Sequence, residues 1–252
     1  MIDARDVVKR HGSTTVLNAV SLQIPKQQFT AIIGPNGAGK STLLSLVSRL
    51  MPMSSGAVSV DGLDVATTAS DALSRVLAIL RQDNQSALRL TVRDLVGFGR
   101  FPHSKGRLTP EDLRHVEDAL DYLQLQPLAE RFLDELSGGQ RQRAYIAMVL
   151  CQDTPYMLLD EPLNNLDMAH AVAMMKLLRR AVDERGKTVV VVLHDINFAA
   201  CYADHIIAMK DGAVAHEGSP QQVVQDEVLS ALYGIEVTVH EVKGQRLCHY
   251  FA

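Results

Sequence analysis

The stretch "FTAIIGPNGAGKSTLLSLVSRL", residues 29–50, decides the fold. Its first six residues are a short, mostly apolar run that closes on Gly34 and reads as a strand. Its last eleven place Leu43, Leu46, Val47 and Leu50 on one face of a helix, which Pro52 is expected to stop. Between them, "GPNGAGKST" (34–42) fits G-x-x-x-x-G-K-[ST] in the strand–loop–helix setting that the motif requires. The physics is local. Gly34, Gly37 and Gly39 let the backbone curl until its N–H groups converge on phosphate oxygens, and Pro35, Asn36 and Ala38 complete the cradle. The helix start adds partial positive charge. Lys40 brings a full charge to the outer phosphates. Ser41 offers a hydroxyl to Mg²⁺, and Thr42 reaches an inner phosphate. A glycine-rich turn with a chance lysine would account for neither the strand before it nor the helix after it.

Two further apolar runs follow, "YMLLDE" (156–161) and "KTVVVVLHD" (187–195). Both are continuous rather than alternating, which predicts a mostly parallel sheet covered on both faces. Asp160 falls at the C-terminal edge of its strand, where ligands bind in open α/β sheets, and is placed to hold Mg²⁺. Glu161 comes next. Side chains alternate along a strand, so it is expected to point elsewhere and to polarise a water for attack on a γ-phosphate. His194 ends its strand at the same edge, as a γ-phosphate contact. The other histidines read as ordinary ones. His240 and His249 alone are not a metal-ligand pattern.

Residues 85–150 read as a helical insertion into an α/β core made of 1–84 and 151–252. In "TPEDLRHVEDALDYL" Thr109 is the cap and Pro110 lies in the first turn. Leu113, Val116, Leu120 and Leu123 form its expected apolar stripe. "AYIAMVLC" (144–151) reads as the buried middle of a helix opened by "LSGGQ" (136–140). At the far end, "IEVTVHEV" (235–242) and "RLCHYFA" flank "KGQ" as a β-hairpin.

Composition narrows the class. The chain has 252 residues, 47% of them hydrophobic, enough for one large α/β domain with an inserted subdomain. A net charge of −4 argues against nucleic acid as a partner, which favours a basic face. Cys151, Cys201 and Cys248 are odd in number and show no paired or metal spacing, which fits a reducing compartment. The opening "MIDARDVVKRHG" has no apolar signal core, and 144–151 is the longest purely apolar run, far short of a membrane span. Work at a membrane is expected to go through a partner.

One motif remains. "LSGGQRQ" (136–142) places a serine and two glycines at a helix start, with arginines at 141 and 143, as a second, partial anion site. In that order, "GPNGAGKST", "LSGGQ", "YMLLDE", "LNNLD" and "LHD" resemble the nucleotide-binding subunit of ATP-binding-cassette (ABC) transporters. The resemblance covers nearly the whole chain and implies an ABC-type P-loop NTPase core, ATP and Mg²⁺ as cofactors, and ATP hydrolysis coupled to transport. In such proteins two cassettes pack head to tail, so Ser137, Gly138, Gly139 and Gln140 would close over the ATP held by a second copy. Gln82 resembles the glutamine that senses Mg²⁺ and the attacking water and hinges the helical subdomain. Asp167 resembles the aspartate of the loop crossing between subunits. His11 stands where the family usually stacks an aromatic on adenine, with less ring area, and Asn165 departs from the alanine-containing versions of its loop.

The resemblance leaves two classes of function, a transporter ATPase and a soluble cassette protein of DNA repair, translation or assembly. The soluble class often carries two cassettes or a long coiled coil. This chain has one cassette and a compact insertion. With no membrane span, it fits an importer with separate permease subunits and, indirectly, a substrate-binding protein. It would then sit peripherally on the cytoplasmic face of the membrane. "VGFGRFPH" (96–103) and "DEPLNNLDM" (160–168) resemble ferric-siderophore importers, within the group that also moves haem and cobalamin. Coupling to the permease is expected near Gln82 to His103. Phe98 and Phe101 there either anchor a partner or pack the insertion's own core.

Overall fold

A computed structural model describes residues 1–82, 89–164 and 166–251 of the chain. It opens on β1 (Ile2–His11) and β2 (Thr14–Ile24), joined through Gly12 and Ser13. β3 (Phe29–Ile33) and α1 (Lys40–Val47) flank the phosphate loop. β4 (Ser55–Val60), β5 (Leu63–Asp64), α2 (Ser70–Ser74) and β6 (Leu77–Leu80) follow. The insertion contains α3 (Val92–Phe98), α4 (Phe101–Ser104), α5 (Pro110–Tyr122) and α6 (Gly138–Cys151). The core resumes with β7 (Tyr156–Asp160), α7 (Met168–Arg185), β8 (Thr188–Val192), α8 (Ile196–Tyr202), β9 (His205–Lys210) and β10 (Ala213–Gly218). The chain closes on α9 (Pro220–Val223), α10 (Asp226–Tyr233) and the hairpin β11 (Thr238–Val242) and β12 (Gln245–His249).

Among the described residues the central sheet has the order β10-β9-β3-β8-β7-β6. All its pairings are parallel except β10 with β9, so the sheet is mostly parallel as expected. β3, β7 and β8 are buried at every position, because alternate side chains feed two separate cores. Met157, Leu159, Val189 and Val191 pack with the helices of the insertion and with α7. Leu158, Val190 and Val192 pack on the other face with α1 and the N-terminal strands. Continuous apolar strands are what a sheet covered on both faces requires.

Several sequence expectations needed correction. A second sheet, β2-β1-β4-β5 and antiparallel throughout, was not foreseen. The helix after the phosphate loop ends at Val47, five residues before Pro52. Arg49 takes a left-handed φ of 57°, and Leu50 leaves the helix face to lie 49% exposed. In α5 the cap at Thr109 and Pro110 stand as expected, yet Leu113 is 47% exposed. The buried stripe runs through Asp112, Val116, Ala119, Leu120 and Leu123 instead, because Asp112 has a buried partner in Arg100. Phe98 and Phe101 are 49% and 56% exposed, so they do not fill the insertion's core.

α6 is the helix that "LSGGQ" opens, with 144–147 and 149–151 buried. The terminal hairpin is present, with Val242 paired to Gln245 across the two-residue turn Lys243–Gly244. The 84/85 boundary of the insertion lies outside the described residues.

Candidate functional site

Parallel pairing places the site. β6, β7 and β8 are neighbours in register, so the segments leaving their C-terminal ends emerge side by side. Those segments carry Gln82, Asp160 with Glu161, and His194. β3 pairs with β8 on its other side and delivers the phosphate loop to the same edge. One strand order thus gathers residues spread over more than a hundred positions.

The loop itself has no freedom of composition at its start. Gly34 adopts φ 143°, and a Cβ there would lie 2.1 Å from the Met209 carbonyl oxygen of β9. Only glycine allows β9 to approach so closely. Gly37 and Gly39 also take positive φ, at 80° and 95°. The loop walls a small cavity of about 190 Å³, lined by Val16, the segment 36–42 and Glu161. Lys40 is buried beneath it and donates to the carbonyls of Gly34 at 2.8 Å and Pro35 at 2.9 Å. Burial pushes its pKa down, while the charges of Glu161 and Asp160 push it back up. The Ser41 hydroxyl donates to Asp160 Oδ1 at 2.8 Å. Burial raises the pKa of Asp160, Ser41 opposes that rise, and the neighbouring Glu161 charge adds to it.

Glu161 does point away from the strand, for a different reason from strand alternation. β7 ends at Asp160, and Glu161 takes a left-handed φ of 50°. That turn carries its carboxylate into a ring of donors. Gln82 Nε2 and Asn164 Nδ2 both donate to Oε2, each at 2.6 Å. His194 Nε2 lies 2.6 Å from Oε1. A carboxylate only accepts, so the histidine carries its proton on Nε2. Asn164 was missed by the sequence reading. Its signal was present in "EPLNN": a polar amide three residues after the acid, one turn away.

Other sequence candidates stand apart from this cluster. His11 is exposed at the end of β1, opposite Thr14. Ser137 caps α6: its hydroxyl accepts from the Gln140 N–H at 3.3 Å, and the Gln140 side chain accepts from the Ser137 N–H at 3.1 Å. Gly138 begins that helix, and a Cβ on Gly139 would lie 3.3 Å from Leu166. No hydrogen bond among the described residues joins Ser137 or Gln140 to the phosphate loop. Asp167 caps α7 by accepting from the His170 N–H at 2.8 Å, and that bond, followed by the His170 ring, lowers its pKa. Asn165 lies outside the described residues. Cys151 is buried in the insertion's core, which pushes its thiol up to about 12 and suits packing rather than chemistry.

A glycine-rich loop beneath paired carboxylates, at the C-terminal edge of a parallel sheet, defines a P-loop nucleotide hydrolase. The family model described as "ABC transporter" matches residues 17–164, and the chain belongs to that family. It is 50% identical over 252 residues to the "Petrobactin import ATP-binding protein YclP" of Bacillus subtilis (strain 168), covering 100% of both chains. It is 52% identical over 244 residues to the "Petrobactin import ATP-binding protein FatE" of Bacillus anthracis, covering 97% of each. Among solved structures, the "Dimeric Structure of MJ0796, a Bacterial ABC Transporter Cassette" superposes with a TM-score of 0.78 at 33% identity, covering 87% of this chain and 99% of that one. The α/β cassette fold expected from the motifs is therefore the fold observed. No helix among the described residues is long and apolar enough to cross a membrane.

Proposed function

We propose that the chain is the ATP-hydrolysing subunit of a ferric-siderophore importer. It works as a head-to-tail pair on the cytoplasmic face of a membrane, beneath a separate permease and, through it, a substrate-binding protein. The observation that carries the hydrolytic part is the convergence of Gln82, Asn164 and His194 on Glu161, beside Lys40, Ser41 and Asp160. The cargo rests on whole-length identity to two proteins named for petrobactin import.

Each residue then has a role. ATP phosphates enter the cradle of residues 34–42. Lys40 exchanges the Gly34 and Pro35 carbonyls for outer phosphate oxygens, and Thr42 takes an inner phosphate. Ser41, Asp160 and Gln82 are the oxygen set that would hold Mg²⁺; the hydroxyl and carboxylate already touch, and hard oxygen donors suit that ion. Bound there, Mg²⁺ neutralises phosphate charge. Glu161 takes a proton from the attacking water, and Gln82 and Asn164, both on Oε2, fix the direction of the carboxylate. His194 exchanges Glu161 for the γ-phosphate. Ser137, Gly138, Gly139 and Gln140 close over the nucleotide of the second copy, Asp167 lies on the crossing loop, and His11 stacks on adenine. The core is 1–84 with 151–252, and the helical subdomain is 85–150.

A deletion strain tests the cargo. It is expected to lose growth on a ferric siderophore as sole iron source, and the Lys40→Ala chain should fail to restore it. Normal siderophore-iron uptake in that strain, with no other cassette substituting, would remove the cargo and leave the ATPase.

A further inference from the structure

The segment "GFGRFPH" (97–103) has a structural consequence that its exposed phenylalanines do not explain. Arg100, between Phe98 and Phe101, turns the other way. Its side chain is 6% exposed, and so is that of its partner Asp112, with Arg100 Nε donating to Asp112 Oδ1 at 2.9 Å. The guanidinium also donates from Nη1 to the carbonyls of Cys151 at 3.0 Å and Gln152 at 3.4 Å. Those carbonyls end α6. His103 adds a bond from Nε2 to the Gln152 carbonyl at 3.0 Å. Two side chains of one short motif thus cap the C-terminus of α6, where carbonyls lack helical partners and positive charge is favoured.

The approach is too close for any side chain at 99. A Cβ on Gly99 would lie 2.1 Å from the Met148 carbonyl oxygen in the last turn of α6. On its other side the same helix end is tied to the core: Gln152 Nε2 donates to the Ser74 carbonyl at 2.6 Å, just before β6. Asp112 is fixed in turn, because its second oxygen accepts from the Thr109 N–H at 2.9 Å and hydroxyl at 2.7 Å. Arg100, Asp112, His103 and Gln152 are thus joined in one network of hydrogen bonds around the end of α6.

α6 has 14 residues, so this junction lies about 21 Å from Ser137 at the helix's other end. We propose that Arg100 is a positioning residue for ATP hydrolysis: by clamping the C-terminus of α6 it sets where Ser137 meets the nucleotide of the second copy. This rests on the proposed role of Ser137. It also gives the exposed Phe98 and Phe101 a path to that serine, since they flank the clamped residue.

The test uses the full chain. Arg100→Met/Asp112→Asn removes both charges, while the asparagine oxygen keeps the Thr109 cap. The variant leaves the new amide NH₂ and the Cys151 carbonyl without their partner, so a modest drop in melting temperature is expected, with ATP bound by the monomer at unchanged Kd. Its kcat should fall ten-fold or more, and in a Glu161→Gln background its ATP-driven dimer should weaken as much. Unchanged kcat and dimer affinity would overturn the proposal. If that variant melts early, Arg100→Lys replaces it: it keeps the charge and loses the planar fork. A drop in kcat per folded molecule at constant ATP Kd supports the clamp, and an unchanged kcat overturns it. Ser137→Arg is run beside them. If Ser137→Arg hydrolyses normally, the proposed role of Ser137 has failed. If Ser137→Arg is dead and the Arg100 variants are active, only the clamp has failed.

Discussion

Gln82 and Asn164 donate to the same oxygen, Glu161 Oε2, each at 2.6 Å. Gln82 follows β6 and Asn164 follows β7, so the carboxylate is held by its own loop and by the loop that leads into the insertion. Any movement of Gln82 with the insertion would therefore change the surroundings of Glu161. If a partner docks on the insertion as proposed, this contact is where its movement would reach Glu161.

Glu161→Gln should bind ATP and hydrolyse it ~10²–10⁴-fold more slowly, the usual scale for removing a general base. The amide can keep its oxygen toward Gln82 and Asn164, but its NH₂ then faces His194, whose Nε2 must accept instead of donate. Size measurement with Mg-ATP should show a dimer that disperses when ATP is withdrawn. A monomer under every nucleotide condition would count against head-to-tail closure.

Asn164→Ala should lower kcat and leave ATP affinity intact, because it frees one side of the base without touching the cradle. A loss of about ten-fold matches one hydrogen bond to a charged group, at roughly 1.5 kcal/mol. Single-turnover hydrolysis measures it. A kcat equal to wild type would show that Gln82 orients Glu161 unaided.

Lys40→Ala should abolish hydrolysis. It removes the full charge from the phosphate cradle and leaves the Gly34 and Pro35 carbonyls without their donor. Near-normal turnover of the purified, partner-bound chain would remove the phosphate-loop assignment.

Ser137→Arg should block hydrolysis without weakening ATP binding to monomers. The side chain bonds only within its own helix turn among the described residues, so its substitution leaves the chain's own cradle alone. Equal losses in monomer affinity and turnover would mean that the turn serves its own chain.

Stability should fall on the acid side. The Thr109 N–H, against burial and with help from the Thr109 hydroxyl and Arg100, holds Asp112 at about 2, below its ordinary 3.8. Between those values the unfolded chain binds the proton and the folded one does not. This contribution is therefore complete above about pH 4 and drains away as pH falls toward 2. Urea midpoints against pH should fall less steeply for Asp112→Asn. Superimposed slopes would clear Asp112 of the effect.

Local chemistry was legible in the sequence wherever a short segment does its work alone. The phosphate loop, the cap at Thr109, the helix opened by Ser137 and the buried strands of the core all follow from neighbouring residues and their periodicity. The N-terminal sheet was not legible. Register shifts within β1, with left-handed backbone at Asp6 and Ala19, break the two-residue alternation that marks a strand. Leu113 and Asp112 exchanged places for a similar reason: hydropathy puts the leucine inside, and only a buried arginine twelve residues away makes the aspartate the better fit. The sequence determined which acid and which amides would be available. Strand order and one left-handed residue at 161 decided that Gln82 and His194 join the nearby Asn164 on Glu161, because bringing distant side chains to one point is a property of packing that no local pattern encodes.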